Sequence, residues 1–260
     1  MSKYFIKPDW IHADKKKIQV QGEDVKHIKN VLRARIGDAI VLCDGACVDY
    51  DCVISQIERD MIVCDIIKKC VSKTEPKHKI TLFQGLPKGD KFEEVIQKSV
   101  ELGVYEIVPM ATERAIVKWK SKDMDKKTER YQKIAMEACK QSNRGVVPQV
   151  NGLISFDEML AKIAAFDLFF VPYELEEMQN IRLFLETKIG SRKDKCGNHI
   201  DMDGLRIGFC IGPEGGFSDS EIQRAKDAGV ETVSLGKRIL RTQTAGPAVI
   251  AMLRYALNDF

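Results

Sequence analysis

Two short stretches near the C-terminus place glycine where chemistry would need bare backbone. Gly212-Pro213-Glu214-Gly215-Gly216 follows an apolar run over residues 205–211, and a second turn runs from Gly236 to Gln243 after residues 231–235. Three glycines in five residues let a flat ligand approach the main chain, whose amides and carbonyls can read its edges. Neither stretch has the GxGxxG spacing of dinucleotide folds, nor GxxxxGK followed by Ser or Thr, so a phosphate loop is not indicated. On spacing alone, an ordinary tight connection between strand and helix fits equally well.

Each turn needs a strand before it and a helix after it. Residues 205–211 have the continuous apolar character of a buried parallel strand. Ser218, with Glu221 three residues on, forms a capping box for a helix that should stop at Gly229. After strand 231–235, a helix is expected from about Thr244, with Pro247 in its first turn. Ligands of open α/β sheets sit beyond the carboxyl ends of the strands, so both turns should face one crevice.

Further strands are expected at 80–84, 105–109 and 167–171. Helices are expected at 90–102, 126–141, 156–164, 177–189, 219–228 and 245–257. The alternation indicates a parallel sheet covered on both faces. Asp90, with Glu93 three residues later, should cap the first helix and Gly103 should end it. Residues 187–204 are polar and glycine-containing, and are expected as a surface excursion.

The N-terminal part reads differently. Residues 4–6, 39–43, 48–57 and 61–67 are β-prone, with turns at Asp44-Gly45 and Arg59-Asp60. One helix over 23–32 would set Val25, Ile28, Val31 and Leu32 on a single face. Short strands with one helix predict a small barrel. Apolar residues vanish over 71–79, where Pro76 appears, and this marks a linker.

Among 260 residues, 44% are apolar and 30% charged, as in globular proteins. No apolar run approaches the ~18 residues that cross a bilayer, and Met1-Ser2-Lys3-Tyr4 does not open a signal peptide, so the cytoplasm is the expected compartment. The eight cysteines are scattered, several within apolar runs, and read as reduced core residues with no metal site. Net charge is only +3, but residues 1–35 carry nine Lys/Arg against four Asp/Glu and residues 113–144 carry ten against five. Two basic segments could be footprints for phosphates, or plain solvated surface.

IGPEGGFSDSEI followed by LGKRILRTQTA resembles the C-terminal signature of the SPOUT methyltransferases, and within them the ribosomal RNA small subunit methyltransferase E family. Residues 88–115, 130–150 and 25–45 (VKHIKNVLRARIGDAIVLCDG) resemble the same family, so the likeness covers nearly the whole chain. Two departures stand out: the 187–204 excursion is longer than expected, and Gln243 stands where a glutamate is common. Gln243 cannot supply an ionised carboxylate as a base.

The resemblance implies an α/β protein with a PUA-like RNA-binding β-barrel over 1–72 and a SPOUT domain over 73–260 containing a deep trefoil knot. It also implies a homodimer that uses S-adenosylmethionine to methylate N3 of one uridine in 16S ribosomal RNA of the small ribosomal subunit. The expected cofactor cradle is Pro172, Gly212, Pro213, Gly215, Gly216, Leu235, Gly236, Ile239, Leu240, Thr242 and Ala245. Arg241 and Arg144 are candidates to stabilise the uracil anion or to hold a phosphate, and Glu174 to accept the proton. Lys29, Arg33, Arg35, Arg114 and Arg144 are the expected RNA contacts. Methylation of a ribose 2′-OH and non-catalytic RNA binding in ribosome assembly are the alternatives.

Overall fold

The computed structural model describes residues 3–117, 119, 124–190 and 204–259. The chain divides into two compact units, Met1–Glu75 with Glu137–Val147, and Pro76–Met136 with Pro148–Phe260.

The first unit contains β1 (Lys3–Phe5), β2 (Ile11–His12), β3 (Lys17–Gln21), α1 (Glu23–Lys26), β4 (Ala39–Cys43), β5 (Val48–Ile57) and β6 (Met61–Val71). They form a mixed sheet in the order β1-β4-β5-β6-β3-β2, in which β1 pairs parallel to β4 and the other pairs are antiparallel. Period-two alternation turns Tyr50, Cys52 and Ile54 of β5 into one core with Ile18, Val20, Leu42 and Ile62. The expected helix is only partly regular. α1 gives way to a π-turn over His27–Val31, so Val25 and Ile28 stay buried while Val31 and Leu32 swing out to 65% and 46% exposure. β2 and β3, hidden in the sequence by a run of lysines, were not expected.

Glu137–Val147 joins this unit through several bonds, including Lys140 to Asp24, the Cys47 amide to Gly145 O and Thr74 to Asn143 O, and most densely through one largely buried carboxylate. Glu75 accepts hydrogen bonds from Arg144 Nε (3.3 Å) and Nη2 (2.7 Å), and from the amides of Gly145 (2.7 Å) and Val146 (3.1 Å). The Arg144 and Glu75 side chains are only 5% and 12% exposed.

The second unit contains β7 (Lys79–Gly85), α2 (Lys91–Glu101), β8 (Glu106–Ala111), most of α3 (Met124–Ser142), β9 (Gln149–Val150), β10 (Ile154–Ser155), α4 (Phe156–Leu160), β11 (Leu168–Pro172), α5 (Ile181–Leu185), β12 (Arg206–Ile211), α6 (Asp219–Asp227), β13 (Glu231–Val233) and α7 (Thr242–Ala256). All its strand pairs are parallel, in the order β10-β8-β7-β12-β11-β13 with β9 beside β8. Helices cover both faces: α4 and α6 bury Phe83, Cys210 and Val171 on one, and Phe184 of α5 packs on Phe170, itself stacked on Phe209, on the other. α2 packs on α7, which lies against β7 and β12.

Several helix ends differ from expectation. Asp90 occupies the N-cap of α2 without a side-chain cap bond. The helix expected from 177 begins at Ile181, because Asn180 accepts the Leu183 amide and caps it there. α7 starts at Thr242, so Pro247 falls in its second turn and leaves the Gln243 carbonyl without its usual helical donor. Most of the expected 187–204 excursion lies outside the described residues; its first residues continue as a π-turn over Glu186–Gly190. Among the described residues, no helix is long and apolar enough to cross a membrane.

Removing one partner of the buried Glu75–Arg144 pair strands the other. Glu75→Ala should therefore lower the unfolding free energy by about 3 kcal/mol or more, read by denaturant titration. A loss below about 1 kcal/mol, the range of a solvent-exposed pair, would contradict this placement.

Candidate active site

The carboxyl ends of β11, β12 and β13 open into a cavity of about 790 Å³. Parallel pairing brings them together: Pro172 is in register with Val233, and β11 also runs beside β12. The turn after β12 and the long connection from Ser234 to Arg241 form opposite walls, as the strand ends predict.

The 212 turn is built so tightly that Gly212 and the neighbouring Gly85 have no room for a side chain. A Cβ on Gly212 would sit 2.9 Å from the Gly216 carbonyl carbon, and one on Gly85 would sit 2.8 Å from the Pro213 nitrogen. Gly216 (φ 66°) and Gly236 (φ 110°) adopt left-handed backbone that L side chains rarely take. Ser218 then starts α6 with the expected capping box, and the buried Glu221 also accepts the Glu113 amide at 2.9 Å.

Two polar ties hold the walls. Thr242 Oγ1 donates to Gly212 O at 2.7 Å and accepts from Gln84 Nε2 at 2.9 Å, linking α7 to the turn and to the end of β7. Gln84 is fully buried, and its amide also donates to Gly85 O at 2.9 Å. Also in the cavity lining, Glu214 accepts from Lys91 Nζ at 2.6 Å and from the Lys88 amide at 3.1 Å. Burial pushes the Glu214 carboxyl up, but Lys91 and the backbone donors more than reverse this, and it sits below its ordinary value.

The residues expected to contact a cofactor are brought together. Pro172 ends β11; Gly212, Pro213, Gly215 and Gly216 form one wall; Leu235, Gly236, Ile239, Leu240, Thr242 and Ala245 form the other. Ile239 is 87% exposed there, a large apolar side chain at the rim. Glu174 and Arg241 also line the cavity. The Glu174 carboxylate lies against Gly216, 2.5 Å from where a Cβ would be.

The expected RNA contacts are dispersed. Arg114 packs on Gly215 and donates to its carbonyl at 3.3 Å. Arg33 and Arg35 are exposed, whereas Lys29 Nζ donates to the Glu58 and Arg59 carbonyls at 2.7 and 3.2 Å. Arg144 does not line the cavity; its guanidinium is bound to Glu75. Gln84, Lys91 and Glu214 were missed as site-shaping residues. The signal for Gln84 was available: an amide inside the apolar run of a buried strand needs a partner. Among the described residues, no group of three or more His, Cys, Asp or Glu could hold a metal.

A parallel sheet whose strand ends carry two turns over one cavity, in a chain with a second unit built on a mixed sheet, defines an α/β ligand-binding protein with an appended β unit. Residues 73–254 match the RNA methyltransferase domain family and residues 20–67 the RNA methyltransferase PUA domain family. The chain belongs to the ribosomal RNA small subunit methyltransferase E family. It is 35% identical to the Bacillus subtilis member over 236 residues, covering 91% of this chain and 89% of that one. It is 35% identical to the Mesomycoplasma hyopneumoniae member over 195 residues, covering 75% and 76%. A crystal structure of the Neisseria gonorrhoeae member, described as bound to S-adenosyl methionine, superposes with a TM-score of 0.79 at 32% identity, covering 98% of this chain and 97% of that one.

Two predictions follow from the ties. Thr242→Val removes the hydroxyl donor to the Gly212 carbonyl and one of the two hydrogen bonds donated by the Gln84 amide, and should cost about 1–3 kcal/mol of stability in denaturant unfolding; a neutral change would mean that water replaces the hydroxyl. Because the Glu214 carboxyl is depressed, its stabilisation is present above its ordinary value of 4.5 and is lost as pH falls through the lower folded value. Unfolding midpoints of Glu214→Gln should therefore fall less between pH 7 and about pH 3 than those of the unaltered chain. Parallel curves would remove Glu214 from the acid response.

Proposed function

We propose that this chain methylates N3 of one uridine in 16S ribosomal RNA, using S-adenosylmethionine, in the cytoplasm and as a homodimer. The observation that carries the reading is the convergence of two bare-backbone turns on one cavity at neighbouring parallel strand ends. The names and bound cofactor of the relatives support it. Dimerisation and a trefoil knot at the C-terminal end rest on the family resemblance, and light scattering tests the first.

The cavity fits the cofactor on its own chemistry. Excluded side chains at Gly212 leave main chain to meet a nucleoside, and Leu235, Leu240 and Ala245 offer apolar walls. S-adenosylmethionine, when bound, supplies a methyl group on a sulfonium. The chain's own tasks are orientation and the handling of one proton. Orientation is the larger contribution, roughly 7–11 kcal/mol, against about 10²–10⁴-fold for a base.

Uracil N3 carries a proton at neutral pH, and its loss spreads negative charge onto the flanking carbonyl oxygens. Arg241 is exposed at the cavity, and its guanidinium has no hydrogen bond or ion pair among the described residues. In this reading it stabilises that anion, being permanently charged and fork-shaped. Glu174, over Gly216, is the proton acceptor in this reading. N3 lies on the base-pairing edge, so the uridine reacts unpaired or extruded. Arg33, Arg35, Lys29 and Arg114 then hold surrounding phosphates. Arg144 contributes by tying Glu137–Val147 to its unit.

Arg241→Ala should lower the methyl transfer rate by about 10²-fold or more while the calorimetric Kd for the cofactor changes by less than about threefold. Equal losses in both would contradict an anion-stabilising role. Mass spectrometry of nucleosides from treated 16S RNA should show base-methylated uridine. A ribose-methylated product would establish the 2′-OH reaction, and absence of cofactor binding would establish a non-catalytic assembly factor.

A further inference from the structure

Residues 26–36 carry four Lys/Arg and no Asp/Glu, yet three of their large aliphatic side chains stand in solvent. Val31 is 65% exposed, Leu32 46% and Ile36 66%. The cause is local geometry. The wider π-turn over His27–Val31 ends the packing of this helix on the core after Ile28, and Arg33 follows with φ 52°. Left-handed backbone is uncommon for a long side chain, and both it and π-turns concentrate at functional sites.

The segment is a pinned knuckle. The Leu32 amide donates to His27 O at 3.1 Å, and Ala34 to Ile28 O at 3.1 Å. The Arg35 amide donates to Asp38 Oδ2 at 2.7 Å, Gly37 to Ile54 O at 2.8 Å, and Lys29 Nζ to the two carbonyls of the β5–β6 turn. Three aliphatic side chains thus stand in water on a segment that also carries Lys26, Arg33 and Arg35, all exposed. An occupant must carry many negative charges and offer apolar faces between them. Unpaired nucleotides do both: phosphates for the guanidinium groups, base faces for the aliphatic ones.

We infer that Val31, Leu32 and Ile36 pack against unpaired bases of the strand whose phosphates Arg33 and Arg35 hold. The inference rests on the RNA substrate proposed above and adds a contact to bases, which charge alone does not supply. Salt separates the two kinds of contact. Phosphate contacts release counterions and steepen the fall of affinity with salt, whereas apolar burial does not change that slope.

The test is binding of a 16S RNA transcript to the full chain, by fluorescence anisotropy, from about 50 to 300 mM salt. A Val31→Ser, Ile36→Ser double variant should bind about tenfold more weakly at every salt concentration with the slope unchanged. Arg33→Ala should instead flatten the slope by about 0.7. Ile36→Phe, which keeps apolar area and adds a stacking face, should bind at least as tightly as the unaltered chain.

Unchanged affinity in the double variant, or weaker binding by Ile36→Phe, overturns the inference. So does a double variant whose loss of affinity accompanies a change of mass by light scattering, which would make the knuckle a contact between copies. Failure of the unaltered chain to bind the transcript overturns the substrate reading itself, and is distinguished by needing no variant.

Discussion

One hydroxyl ties three separate stretches of the catalytic unit. Thr242 donates to the Gly212 carbonyl and accepts from Gln84, so the start of α7, the turn after β12 and the end of β7 keep one spacing. A side chain at Gly212 would meet the backbone of Gly216 and Phe217 across the turn, and one at Gly85 would meet the Pro213 ring. Bare backbone at the site is thus a product of packing around it. Glu214, held by Lys91, fixes the far edge of the turn by charge where Thr242 fixes the near edge by hydrogen bonding.

The arginines divide by burial. Arg144 and Arg254 are 4% and 2% exposed and bound to Glu75 and Asp259, and a guanidinium so engaged serves architecture. Arg241 and Arg33 are exposed and carry charge that the described residues do not neutralise. Identical side chains therefore sit in opposite surroundings, and the difference comes from the partner each one meets.

Much of the fold was legible in the sequence because local signals agreed with it. The Ser218–Glu221 capping box and the apolar run before Gly212 are short-range features, and the structure has both. The cavity wall was legible for the same reason, since parallel strands must end at one edge. What stayed hidden depends on distant partners. Arg144 looks like any basic residue until Glu75, distant in sequence, is seen against it. Val31 and Leu32 fit a helical period, and only the π-turn, which no residue type signals, turns them outward. β2 and β3 were masked by Lys15, Lys16 and Lys17, whose charges dominate a segment with only two buried residues, Ile18 and Val20.

A crystal of the chain soaked with S-adenosylhomocysteine tests the central claim most directly. The account predicts its adenosine between the 212–216 and 235–241 walls, bonded to main-chain atoms, with Thr242 still on the Gly212 carbonyl. Adenosine bound elsewhere, or a cavity closed by side chains of those two walls, would contradict it.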